Sequence, residues 1–191
     1  MKRLFYRPRV MVVAVTLALT LFVTGCEQTP EEHFQQAQVL AEKGDYKGAV
    51  IALKNVLQVQ AENAEARLLL GELMIRFAAY LDAEKELSTA RRLGVSDERV
   101  VPTLAEVYVR MGEPKKALDL GFPATELDSQ SLASLLAVRA EAQLFLGQRA
   151  AAEQSIAEAR RLAPDQPAVM LSAARLALQE QRTDEAGRLV W

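Results

Sequence analysis

The chain has 191 residues, of which 50% are hydrophobic and 25% charged, with a formal net charge of −2. A body on the acidic side of neutral lacks the basic footprint that nucleic-acid binding needs. One histidine and one cysteine leave no internal disulfide and no Ser/His/Asp, Cys/His or zinc constellation, so an enzyme is not expected, nor a cofactor or metal.

In chain order, Lys2, Arg3, Arg7 and Arg9 precede an apolar run from Val10 to Val23, broken only by Thr16 and Thr20. That run is shorter than the roughly 20 residues of a spanning helix, so residues 1–25 read as a secretory signal to be set aside before fold reasoning. Val23–Thr24–Gly25–Cys26 follows and resembles the lipobox of bacterial lipoproteins. The resemblance implies that Cys26 takes a diacylglycerol, that the signal is cut before it, and that the freed amine is acylated. Several acyl chains, at ~0.8 kcal/mol per buried methylene, would anchor the protein to a membrane. Glu27 stands where lipoproteins retained at the inner membrane usually carry Asp, which favours the periplasmic face of the outer membrane. Residues 26–30 then form a short tether. All four basic residues named above fall in the signal and no acidic ones do, so the remaining body is more acidic than the whole chain.

From residue 31 onward a pattern recurs at about 34 residues, the sign of stacked helical hairpins. Ala64–Gly71 lies in register with Ala133–Ala140, Gly44 and Gly112 are two periods apart, and Gly147 follows one residue beyond a period. The first unit is expected as helices over Glu31–Lys43 and Tyr46–Gln60, with Gly44 ending one and Asp45 capping the next. The second spans Asn63–Ala78 and Tyr80–Leu93, with Gly71 and Ala83 letting its two helices approach closely. The third begins over Glu98–Met111, and Pro114 suits the start of its partner. That partner, Lys115–Leu120, runs into Gly121–Phe122–Pro123, where a helix cannot continue. This break reads either as a tolerated irregularity or as a kink that bends the concave surface. The fourth unit is Ser131–Leu146 with Arg149–Leu162, closed by Pro164. Pro167–Glu180 opens a fifth, whose return helix starts near Thr183 and is cut off at Trp191, with Ala186 and Val190 in phase.

Gly44–Asp45–Tyr46, Ala49, Leu70–Gly71, Ala83, Leu104–Ala105, Tyr108, Ala117, Ala140, Ala152, Ala159 and Pro164 resemble the tetratricopeptide repeat. The resemblance covers about Pro30 to Trp191 and departs from the family at His33 and after Leu120. It implies an all-α, right-handed superhelical solenoid of antiparallel helix pairs, about five repeats over 31–191 with the last truncated. It also implies a concave face lined by the first helix of each unit. Carried onto this sequence, the candidate protein-binding groove comprises Phe34, Leu68, Glu72, Ile75, Arg76, Glu106, Val109, Arg110, Glu141, Leu144 and Phe145. Phe34, Leu68, Ile75, Val109, Leu144 and Phe145 would supply apolar pockets. Glu72, Glu106 and Glu141 form a row one repeat apart, and Arg76 and Arg110 lie four residues beyond the first two. Glu72/Arg76 and Glu106/Arg110 read either as ordinary helix pairs of ~0.2–0.5 kcal/mol or as charges that set the register of a bound segment.

The lipobox, the short tether and a first helix with Phe34–x–x–Ala37 before Gly44–Asp45–Tyr46 are similar to the repeat lipoprotein of the exosortase, PEP-CTERM sorting, system. That protein accompanies exopolysaccharide and protein-sorting machinery, and its array is longer. Expected partners are other envelope proteins or peptide segments, with the membrane reached through the lipid. Within the same class, a pilus-secretin pilotin or an outer-membrane assembly lipoprotein is the alternative. From another class, the array is the adapter of a periplasmic enzyme whose catalytic domain lies beyond Trp191.

Overall fold

In a computed structural model, the structure describes residues 29–121 and 127–179. The expected signal, Cys26 and the closing helix near Trp191 lie outside the described residues. Among the described residues the secondary structure is entirely helical: α1 (Pro30–Glu42), α2 (Tyr46–Val59), α3 (Ala64–Arg76), α4 (Tyr80–Arg92), α5 (Asp97–Arg110), α6 (Pro114–Asp119), α7 (Ser129–Phe145), α8 (Arg149–Leu162) and α9 (Pro167–Gln179). These are the expected helices, with ends shifted by one or two residues where a cap rather than the apolar pattern sets the boundary.

Those caps are written locally. Thr29 Oγ1 accepts from the Glu32 amide at 3.2 Å while Glu32 Oε2 accepts from the Thr29 amide at 2.9 Å, a reciprocal capping box that starts α1. Asp45, Asn63 and Asp128 accept from the amides of Gly48, Ala66 and Ser131 at 3.0, 2.9 and 2.6 Å, starting α2, α3 and α7. At the other ends one turn recurs. Gly44, Ala78, Gly112 and Gly147, which end the first helices of their units, all have positive φ, 79°, 54°, 74° and 72°, and Gly94 ends α4 in the same way at 99°. At each, paired backbone hydrogen bonds reach back into the preceding helix, as from Gly44 and Asp45 to the Ala41 and Leu40 carbonyls. Ala78 is therefore the beat missing from the glycine series, carrying a Cβ into a left-handed turn.

The hairpins stack through four adjoining cores. Ala37, Ala49, Leu53, Val56, Leu70 and Leu73 join α1, α2 and α3, and Leu87, Ala90, Val100, Leu104 and Val107 continue across α4 and α5. Val101, Ala105 and Val109 carry the seam from α5 to Ala117, Leu135 and Ala142 on α6 and α7. Ala137, Ala140, Ile156, Ala159, Val169 and Ala173 close it over α7, α8 and α9. Small residues set the spacing. A Cβ added at Gly71 would stand 2.7 Å from Leu87 Cγ, so the close approach expected at Gly71 is made against Leu87, one turn beyond Ala83.

The third unit departs as expected: α6 has only 6 residues. Helices α5 and α7 pack directly on one another, as α7 and α9 also do beside the full return helix α8. Helix α5 is buried on two faces, Val100, Leu104 and Val107 toward the preceding unit and Val101, Ala105 and Val109 toward the following one. Arg91 secures the junction, pairing through Nε and Nη2 with both Asp97 oxygens at 2.7 and 2.8 Å and reaching the Gly121 carbonyl at 3.0 Å.

Ala78→Gly is expected to stabilise the fold by roughly 0.5–1 kcal/mol, because relief of the left-handed strain outweighs the extra freedom of the unfolded chain. Gly71→Ala is expected to destabilise it by about 1–2 kcal/mol, since Leu87 is fully buried and has nowhere to move. Chemical denaturation with an unchanged m-value measures both.

Candidate functional site

First helices α1, α3, α5 and α7 line two hollows that meet at Glu72 and Arg99. The first, about 290 Å³, is bordered by Phe34, Gln38, Ala41, Glu42, Glu65, Leu68, Leu69, Glu72 and Arg99. The second, about 490 Å³, is bordered by Glu72, Glu98, Arg99, Pro102, Thr103, Asp128, Gln130, Ser131, Ser134 and Gln166. Phe34, Leu68 and Pro102 stand one repeat apart, as do Gln38 and Glu72, so the helical rotation that buries the seam also lays these positions along one side.

The charges at this surface tie neighbouring repeats together. Arg99 grips both Glu65 oxygens at 2.7 Å, a bidentate pair spanning one full repeat. Its guanidinium holds the Glu65 carboxyl below the ordinary range, chiefly by hydrogen bonding, and is itself held more basic. The same one-repeat spacing recurs between Glu141 and Arg175 at 2.6 Å, and Ser172 Oγ donates to Glu141 at 2.7 Å. Glu72 differs: it makes no hydrogen bond or ion pair among the described residues. Loss of hydration raises its carboxyl pKa, with Arg99 opposing the shift and Glu65 adding to it.

The expected groove residues are not brought together as one lining. Phe34, Leu68 and Glu72 border the first hollow. Leu68, only 3% exposed, is at the same time a core residue between α3, α4 and α5. Val109, at 4%, is core and not groove, because α5 is covered on both faces. Ile75 and Leu144 pack half-buried against the cores, and Phe145 stands 68% exposed outside both hollows. Arg76 does not form the ordinary helix pair with Glu72 that was one of the two readings; its guanidinium lies over the Tyr46 ring, 5.0 Å from the centroid. Arg110 does pair with Glu106, at 3.2 Å, and Glu141 is engaged by Arg175 and Ser172. Arg99, Pro102, Thr103, Ser134 and Gln166 were not foreseen. Opposite charges one repeat apart at Glu65 and Arg99 were the available signal.

Among the described residues, no group of three or more His, Cys, Asp or Glu side chains could hold a metal ion, and no helix is long and apolar enough to cross a membrane.

This geometry defines a class: a helical-repeat protein of stacked antiparallel helix pairs. Residues 40–102 match the family model for the tetratricopeptide repeat, and the fold is the all-α, right-handed solenoid of antiparallel helix pairs shared with proteins of that kind. Its structure is similar to that of YrrB, described as a TPR protein with an unusual peptide-binding site, at 17% identity, TM-score 0.64, covering 90% of this chain and 88% of that one. It is also similar to TTC0263, a thermophilic TPR protein of Thermus thermophilus, at 21% identity, TM-score 0.67, covering 84% and 88%. The third is Pseudomonas aeruginosa pilF, at 17% identity, TM-score 0.64, covering 84% and 72%. At these identities the likeness is one of fold. No curated protein matches the sequence.

Stability should fall in acid with a definite assignment. Glu65 and Asp97 have folded pKa values depressed by Arg99 and Arg91. Their contribution is therefore complete above the unfolded values, about 4.3 and 3.9, and is lost as pH drops through the folded ones. Glu72, with its raised folded pKa, acts oppositely: as pH falls toward the unfolded value the folded state binds the proton first and gains stability. Calorimetry from pH 7 to 3 should show Arg99→Met shallowing the acid loss and Glu72→Gln stabilising the protein at neutral pH but not at the acid end.

Proposed function

We propose that the chain is a lipid-anchored tetratricopeptide-repeat lipoprotein that acts as a protein-protein interaction scaffold in envelope export or assembly. The observation that carries the scaffold reading is the pair of hollows along α1, α3, α5 and α7, where apolar walls at Phe34 and Leu68 adjoin charged and hydroxyl side chains. Extended segments bind such surfaces through alternating apolar and polar contacts. YrrB, with its peptide-binding site, supports peptide or protein partners for this fold. Cys26 behind its apolar run supports the anchor, and Glu27 supports the periplasmic face of the outer membrane. The first-repeat pattern from Phe34 to Leu57 supports a place beside exopolysaccharide and PEP-CTERM protein-sorting machinery.

Two experiments test this reading. Cys26→Ala should leave the precursor uncleaved by lipoprotein signal peptidase and unlabelled by radioactive palmitate; release of an identical mature protein removes the anchor. A photo-crosslinking residue placed at Gln38, Thr103 or Gln130 should give saturable crosslinks to an envelope protein, whereas the same residue at Ile51 or Gln154 on the second helices should not. Crosslinks confined to the second helices would overturn the assignment of the concave face.

A further inference from the structure

We infer that the groove receives an extended segment carrying a lysine or arginine, whose aliphatic stem lies against Phe34, Leu68 and Leu69 and whose charge meets Glu72. This inference rests on the concave face being the protein-binding surface, and it adds the chemistry of the partner.

The charge balance of the groove leads to it. Glu42, Glu65, Glu72, Glu98 and Asp128 border the two hollows against a single guanidinium, Arg99. That guanidinium is committed in both arms to Glu65. The neighbouring arginines of the first helices do not neutralise the excess, because Arg76 lies over Tyr46, Arg110 is paired with Glu106 and Arg175 with Glu141. Asp128 is committed to capping α7, and Glu98 accepts from the Asp128 amide at 3.3 Å. Glu72 borders both hollows and has no cation of its own.

The walls fit a long basic side chain. Lysine and arginine lay their methylene stems along apolar surface while the head stays polar, and the first hollow offers Phe34, Leu68 and Leu69 beside Glu72. An acidic side chain would meet Glu42 and Glu72 with like charge. Glu72 is exposed and can be reached, and its carboxyl pKa, raised by desolvation that Arg99 only partly opposes, falls when a further cation arrives.

The test uses the full chain in detergent and fluorescent ten-residue peptide pools, randomised over Ser, Ala, Leu and Val around one fixed central residue. With lysine fixed, binding should be about tenfold tighter than with norleucine, the worth of one charge-assisted hydrogen bond, and the pool with glutamate fixed should be weakest. Glu72→Gln should remove the lysine advantage and leave norleucine binding unchanged. In the unaltered chain, carboxyl 13C titration should show the lysine pool lowering the Glu72 pKa. Equal binding of the lysine and norleucine pools, or a Glu72 pKa that does not move, overturns the cation preference while the groove stands. If no pool binds, the groove reading falls and this inference with it.

Discussion

Each helix pair in this array carries an apolar face that it cannot cover by itself, and the rest of the structure follows from how the next pair covers it. The covering surfaces are made of small residues. Ala49, Ala83, Ala90, Ala137, Ala152 and Ala159 are buried to the backbone, and Gly71 admits Leu87 where even a methyl group would collide. Short side chains let helix axes approach closely, so a modest apolar area is packed densely. Stability is then shared between neighbours along one dimension, and the array has seams rather than a centre.

That arrangement explains why the third unit matters. Helix α6 ends after 6 residues, and the first helices α5 and α7 pack on one another. Helix α5 is covered on both faces, which buries Val109. Ser131, Ser134 and Gln166 border the second hollow, which adjoins the one bordered by Phe34 and Leu68 at Glu72 and Arg99. Electrostatics follows the same periodic logic. The Glu65–Arg99 and Glu141–Arg175 pairs each bridge one repeat, tying first helix to first helix. Pairs of this kind add little stability singly, but they commit Arg99 and Arg175 and leave Glu72 without an ion pair among the described residues.

The fold was legible because its signals are local or periodic. A capping side chain bonds an amide three residues away, and a left-handed turn concerns one residue, so Asp45, Asn63, Gly112 and Gly147 announce helix ends without knowledge of their neighbours. Ala78 hid one beat because residue identity, not backbone angle, is what a sequence displays. The site was legible only in part. Phe34, Leu68 and Glu72 sit where the repeat phase places them, whereas Arg76 turned to an aromatic ring in the preceding repeat and Val109 turned inward.

By itself, then, the sequence determined the helices, their turns and the repeat that stacks them, since these depend on spacing along the chain and on single-residue backbone chemistry. Tertiary structure alone decided which positions of each first helix face the groove and which charges are spent. Rotation of a helix about its axis is set by what packs on both sides of it, and at α5 that is the seam to the preceding unit and the seam to the following one. A carboxylate is engaged or not according to which side chain a full repeat away reaches it, as Arg99 hydrogen-bonds Glu65 and acts on Glu72 only at a distance.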